Sequence, residues 1–209
     1  MHQYRPALIA GLLAMLALLV SLPLAAEKAD QNSADAGHQQ AWWTSLQNLC
    51  GQAFAGQLVR APADDATFRD REVRMHLRHC DSHQVRIALV IDDDRSRTWI
   101  FSRDDDGIAF AHDHRQPDGT PEAVSDYGGR TVNAGSADSQ MFPADDHTRR
   151  VIAGSGLRSV WLVEIHPGQR FVYAANRVGT ERGFQVDFDL SQPVPSPPAP
   201  WGWPEPDPS

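Results

Sequence analysis

The chain has 209 residues, with 27 Asp and Glu against 19 Lys and Arg, for a formal charge of −8. An acidic chain without a basic run, and without aromatics interleaved among basic residues, offers phosphate backbones little, which argues against nucleic acid as a partner. Beyond the first 26 residues no segment is apolar enough to span a bilayer.

The N-terminus, "MHQYRPALIAGLLAMLALLVSLPLAA", places Arg5 before an apolar run from Ala7 to Val20, then Pro23 and small residues up to Ala26. That order predicts a secretory signal peptide over residues 1–26, cut after Ala26 or Ala25, and hence a periplasmic or secreted protein. A retained membrane anchor is the alternative. Residues 27–38 are small, polar and charged and predict a flexible lead-in. The folded domain is expected over residues 39–190.

It begins with "QQAWWTSLQNLCG", where Trp42, Trp43, Leu46 and Leu49 recur at helical spacing and Gly51 supplies a stop. The two cysteines of this exported chain, Cys50 and Cys80, then read as one disulfide. From Phe54 onward the apolar period is two. It runs through "AFAGQLV", "EVRMHLRHC", "QVRIALVID", "RTWIFSR", "GIAFAHDHR", "SVWLVEI", "RFVYAANR" and "GFQVDFDL", each a strand with one buried face. Asp106-Gly107 and Pro167-Gly168 stand at hairpin distance between successive strands. Residues 115–136 predict a long loop with at most one short strand. "FPADDHTRRVIAG" predicts one helix of about two turns, acidic at its start and basic at its end.

Hairpin-joined strands in chain order make a meander, and an open sheet of that width leaves troublesome edges. The predicted fold is all-β: an antiparallel meander of 8–10 strands closed into a lipocalin-like barrel, with a short N-terminal helix and one short inserted helix. A β-sandwich is the alternative. After Leu190, eight of the nineteen remaining residues are proline, so residues 191–209 predict an extended polyproline tail that joins no ladder. Trp201 and Trp203 in that tail either pack back on the barrel wall or dock an envelope protein partner.

The helix-then-meander layout with its early "CGQAFAGQLV" resembles the calycin superfamily of lipocalin-like barrels over residues 40–190, although the glycine-x-tryptophan of lipocalins is missing. Separately, "HDHRQPDGTP", "YGG", "FPAD" and "PPAPWGW" together resemble a family of exported bacterial proteins of uncharacterised function. That second resemblance implies no activity.

Candidate chemistry centres on "GIAFAHDHR". Its alternation puts Ile108, Phe110, His112 and His114 on the inner face, near a barrel mouth, and turns Asp113 outward, away from its neighbours. Phe110, His112 and His114 are therefore expected to line a ligand pocket. The two imidazoles at i and i+2 could instead share a divalent metal if other ligands converge. Glu164 joins them if Val160 and Leu162 face inward, but Trp161, Val163 and Ile165 form an equally apolar face. No cofactor is predicted. "SRDDDG" lacks the flanking helices and end ligands of an EF-hand, and neither G-x-S-x-G nor a phosphate loop occurs. The leading expectation is non-catalytic binding of a small or amphipathic ligand. The alternatives are a periplasmic enzyme using metal or His and Glu, and an interaction module using the Pro/Trp tail.

Overall fold

A computed structural model describes residues 37–152, 154 and 158–204. The predicted signal peptide lies outside the described residues, as do most of the lead-in and residues 205–209. Residues 37 and 38, expected in the lead-in, already belong to helix α1, which is helical over 37–47. Its apolar stripe, Trp42, Trp43 and Leu46, is fully buried. Gly51 ends the turn that follows at φ +79°, a conformation glycine adopts without strain, and its N–H donates to Leu77 O at 2.8 Å. Cys50 and Cys80 form the expected disulfide, with Cα atoms 6.3 Å apart, so the exit of α1 is stapled to the sheet.

Ten strands follow: β1 (Ala53–Arg60), β2 (Val73–Cys80), β3 (Gln84–Ile91), β4 (Asp94–Asp104), β5 (Gly107–His114), β6 (Tyr127–Arg130), β7 (Ser139–Pro143), β8 (Ser159–His166), β9 (Arg170–Arg177) and β10 (Gly183–Val194). A second helix, α2 (Asp146–Val151), lies between β7 and β8. The order across the sheet is β6-β5-β4-β3-β2-β1-β10-β9-β8-β7, antiparallel throughout. Chain neighbours are sheet neighbours everywhere except at β6 and β7, and β1 pairs with β10. This is a meander rolled into a nearly closed barrel, not a sandwich.

The seam lies between β6 and β7, where one bridge, Gly129 to Ala144, joins the edges. Two glycines make the approach possible: a Cβ on Gly128 would stand 1.8 Å from Phe110 O, and one on Gly129 1.9 Å from Pro143 O. Helix α2 covers the gap. Asp145 caps it, accepting from Thr148 N–H at 2.8 Å. The fully buried Thr148 hydroxyl donates to Gly128 O and accepts from Gly128 N–H, both at 2.6 Å. One side chain thus pairs both backbone groups that a ladder partner would otherwise satisfy.

The barrel interior is packed with rings. Trp99, Phe101, Phe110, Phe142, Phe171 and Phe188 are fully buried, with centroids as close as 4.5 Å for Phe101 on Phe110. From the α1 end Trp42 packs on Phe101 and Phe142 and donates to Val163 O at 3.3 Å. The interior is therefore filled by aromatic side chains instead of forming a lumen.

One expectation for the C-terminus changes. β10 runs to Val194, not Leu190, with Pro193 opposite Phe54 and Val194 opposite Ala53. Proline is tolerated there because β9 pairs only as far as Asp189, so this stretch of β10 is bonded on one side only. Beyond it, residues 195–204 cross the outer wall of β2–β5. Trp201 N–H donates to Arg95 O at 3.0 Å, and Arg95 and Arg78 donate to Ala199 O and Pro204 O. Both tail tryptophans are half-buried against the barrel.

Candidate functional site

α1 occupies one end of the barrel. The opposite mouth carries the β1–β2 loop, the β3–β4 turn, the β5–β6 loop, α2 and the β9–β10 turn. β5 delivers both predicted histidines to this end, on the inner face as its alternation required.

His112 is 2% exposed and has both ring nitrogens engaged. Nδ1 lies 2.9 Å from Tyr127 O, a carbonyl that can only accept, so Nδ1 carries the proton. Nε2 then accepts from Tyr173 OH at 2.7 Å. Burial pushes the His112 pKa down to about 3, against the opposing pull of the Tyr127 carbonyl, and the ring is neutral at pH 7. Burial also raises the Tyr173 hydroxyl well above its ordinary range. His114 sits one layer nearer solvent. Its Nε2 is 3.1 Å from Tyr127 OH, and its Nδ1 is 3.8 Å from Glu122 Oε2. Burial, and then the nearby Arg97, bring the His114 pKa to about 4, while burial lifts Tyr127 to about 12. Arg97, in phase with Trp99 and Phe101, pairs with Asp94 at the same rim. At pH 7 both imidazoles are therefore neutral and both phenols keep their protons.

Three sequence expectations are corrected. Phe110 belongs to the aromatic core, packed on Phe101, Phe142 and His112, and does not line a pocket. On β8 the buried phase is Trp161, Val163 and Ile165, so Glu164 lies on the outer wall, where it meets His166 Nε2 at 3.1 Å and Arg170 at 3.9 Å. It never approaches His112 or His114. As for metal, no group of three or more His, Cys, Asp or Glu among the described residues is arranged to hold an ion. His112 would have to surrender Tyr173 to become a ligand.

The recess at this mouth lies elsewhere on the rim. Residues 61–72, between β1 and β2, fold across the opening and drive Phe68 against Phe184, with ring centroids 4.9 Å apart. The loop is fixed by its own chemistry. The Asp65 carboxylate accepts from Phe68 and Arg69 N–H at 2.9 and 3.0 Å, and Arg71 pairs with Asp92 at 2.7 Å. Beside Phe68 a cleft of about 320 Å³ remains, lined by Thr67 and Asp64 of the loop, Ala175 and Arg177 of β9, and Arg182 and Phe184 around the β9–β10 turn. Its floor is apolar, since Ala175 and Phe184 rest on the core. Its rim is charged: Arg182 meets Asp64 at 3.2 Å, and Arg60 donates to Asn176 at 2.6 Å.

"RAPADDATFRDRE" and "NRVGTERG", which build this cleft, carry no periodic signal and read only as connections. Arg97 was accessible from its phase with Trp99. Glu122 and Tyr127 came from the long loop, where no phase exists to read.

Comparison of the chain with protein-family models, curated proteins and solved structures gives no match.

Proposed function

We propose that this protein is an exported, non-catalytic barrel that binds a small amphipathic ligand in the mouth cleft, with the ligand's apolar body on Phe184 and Ala175 and an acidic head toward Arg177 and Arg182. The observation that carries this reading is the pairing of an apolar floor with a charged rim, where Arg177 and Arg182 stand beside Asp64, in one open recess of about 320 Å³. Small-molecule sites of this kind combine apolar walls with a few polar groups that fix orientation. The resemblance to calycin barrels points the same way, although the filled interior moves the site from the lumen to the rim.

Binding without catalysis is supported by the state of the histidines: both nitrogens of His112 are occupied, and burial holds both rings neutral. Export is supported by the Cys50–Cys80 disulfide, which persists in oxidising compartments, together with the N-terminal segment. Among the described residues no helix is long and apolar enough to cross a membrane.

The test is to incubate the full chain with an organic extract of the cells that make it, repurify it and record native mass spectra. A defined adduct is expected on the wild type and absent from Thr67→Trp, whose indole fills the cleft. No adduct on the wild type, or an equal adduct on Thr67→Trp, would overturn the proposal.

A further inference from the structure

Asp113, the residue that strand phase turns away from the two histidines, lies at the centre of a second arrangement on the outer wall. Its side chain is only 5% exposed, yet it faces out of the barrel. There the Trp203 indole N–H donates to its Oδ2 at 2.8 Å. Two guanidinium groups lie over the indole, Arg86 at 4.5 Å and Arg115 at 4.8 Å from the ring centroid. Each is held by the barrel itself: Arg115 Nε bonds Asp113 at 2.8 Å, Arg115 Nη1 donates to Gly119 O at 3.1 Å, and Arg86 Nε donates to Gln84 Oε1 at 2.6 Å. Each arginine is therefore tied to the barrel by a bond that the tail does not make.

The rest of the tail is read by backbone and by shape. Arg95 donates from its side chain to Ala199 O at 3.2 Å and accepts at its own carbonyl from Trp201 N–H at 3.0 Å, a two-point clamp. Gly202 lies against Gly119 so closely that a Cβ on Gly119 would stand 2.8 Å from Gly202 Cα, and one on Gly202 2.7 Å from Gly119 O. Only glycine fits between the two tryptophans. Beneath the tail, Ala88, Val90, Ser96 and Thr98 are buried although their strand phase points outward.

We propose that the outer wall of β2–β5 is a recognition groove for a tryptophan-bearing polyproline segment, filled in cis by residues 195–204 and able to take the same segment from a second copy of the chain. Polyproline is extended before it binds, so little order has to be imposed on it. No contact in the groove depends on the covalent link at Val194, and reciprocal exchange of tails between two copies fills both grooves with identical contacts. The tail is the one segment whose chemistry is known to match: prolines, then Trp-Gly-Trp. In cis it competes at an effective concentration on the order of millimolar, so exchange depends on concentration.

The experiment uses a fluorescein-labelled peptide of residues 194–204 and the full chain carrying Trp203→Ala, which weakens the cis anchor. Saturable anisotropy is expected with this receptor and an apparent affinity at least tenfold lower with the wild type, whose own tail occupies the groove. Adding Asp113→Asn to the receptor should weaken peptide binding about tenfold, and a peptide with Ala in place of Trp203 should not bind. Circular dichroism establishes that each receptor is folded. If Trp203→Ala is not, Trp203→Phe keeps a ring under the arginines, removes only the N–H donor, and takes its place. Absence of binding to a folded receptor, or binding indifferent to Asp113→Asn, overturns the proposal.

Discussion

His112 shows what a polar residue on an apolar face costs and what keeps it there. Phe110, Trp161 and Tyr173 enclose it, Tyr127 stacks on it, and two hydrogen bonds satisfy it as a neutral ring. Because its pKa falls from 6.5 to about 3 on folding, the unfolded chain takes up a proton first as the solution is acidified. Its contribution to stability is complete above pH 6.5 and is lost as pH falls toward the folded-state value, about 3 kcal/mol between pH 7 and pH 4. His114, with its pKa near 4, adds a loss of the same sign over the same window. Urea titrations across that range should give falling stability for the wild type and a flatter profile for His112→Gln, which is less stable at pH 7. A His112→Gln profile as steep as the wild type's would contradict the assignment. At this scale strand phase was legible where the two faces differ in polarity: β5 set Ile108 and Phe110 against Asp113 and Arg115, and both histidines lie on the inner face that this alternation predicts, although they line none of the described clefts. It was illegible on β8, because Val160 and Leu162 outside are as apolar as Trp161 and Val163 inside, which left the wall of Glu164 open.

Among elements, closure of the sheet rests on devices that hydropathy does not encode. The hairpins were visible from Asp106-Gly107 and Pro167-Gly168, and so was the helix α2 from Asp145 and Asp146 at its start. That α2 lies over a seam, with Thr148 standing in for a missing strand partner, depends on contacts twenty residues apart in sequence. Thr148→Val keeps the shape and removes the hydroxyl, leaving the Gly128 N–H unpaired. Thermal and urea unfolding should show a loss of about 1–3 kcal/mol; an unchanged midpoint would mean that the seam is satisfied in another way. The disulfide, by contrast, followed from the cysteine count and the compartment that the N-terminal segment predicts. Cys50→Ser with Cys80→Ser should destabilise by about 3–4 kcal/mol, with the helical end of the barrel most affected. The tail was only half legible. Its proline content predicted an extended chain, but the pairing of Pro193 and Val194 with β1 needed the knowledge that β9 stops short.

For the molecule as a whole, the expected barrel is present and its interior is filled. The alternating apolar positions predicted an inner face without revealing how much room it would leave. The size of Trp99, Phe101, Phe110, Phe142, Phe171 and Phe188, with Trp42 entering from α1, decides that the interior is filled. One end is closed by the helix and the other by Phe68, which leaves a rim cleft with both apolar and charged walls beside Arg177 and Phe184. Titration with an anionic anilinonaphthalene sulfonate dye, which pairs an acidic head with apolar rings, tests this reading most directly. The wild type should bind one dye saturably, while Thr67→Trp and Arg177→Glu, compared at pH 7 with matched thermal midpoints, should bind at least tenfold more weakly. Equal dye affinity in all three proteins would contradict the placement of the ligand in the mouth cleft.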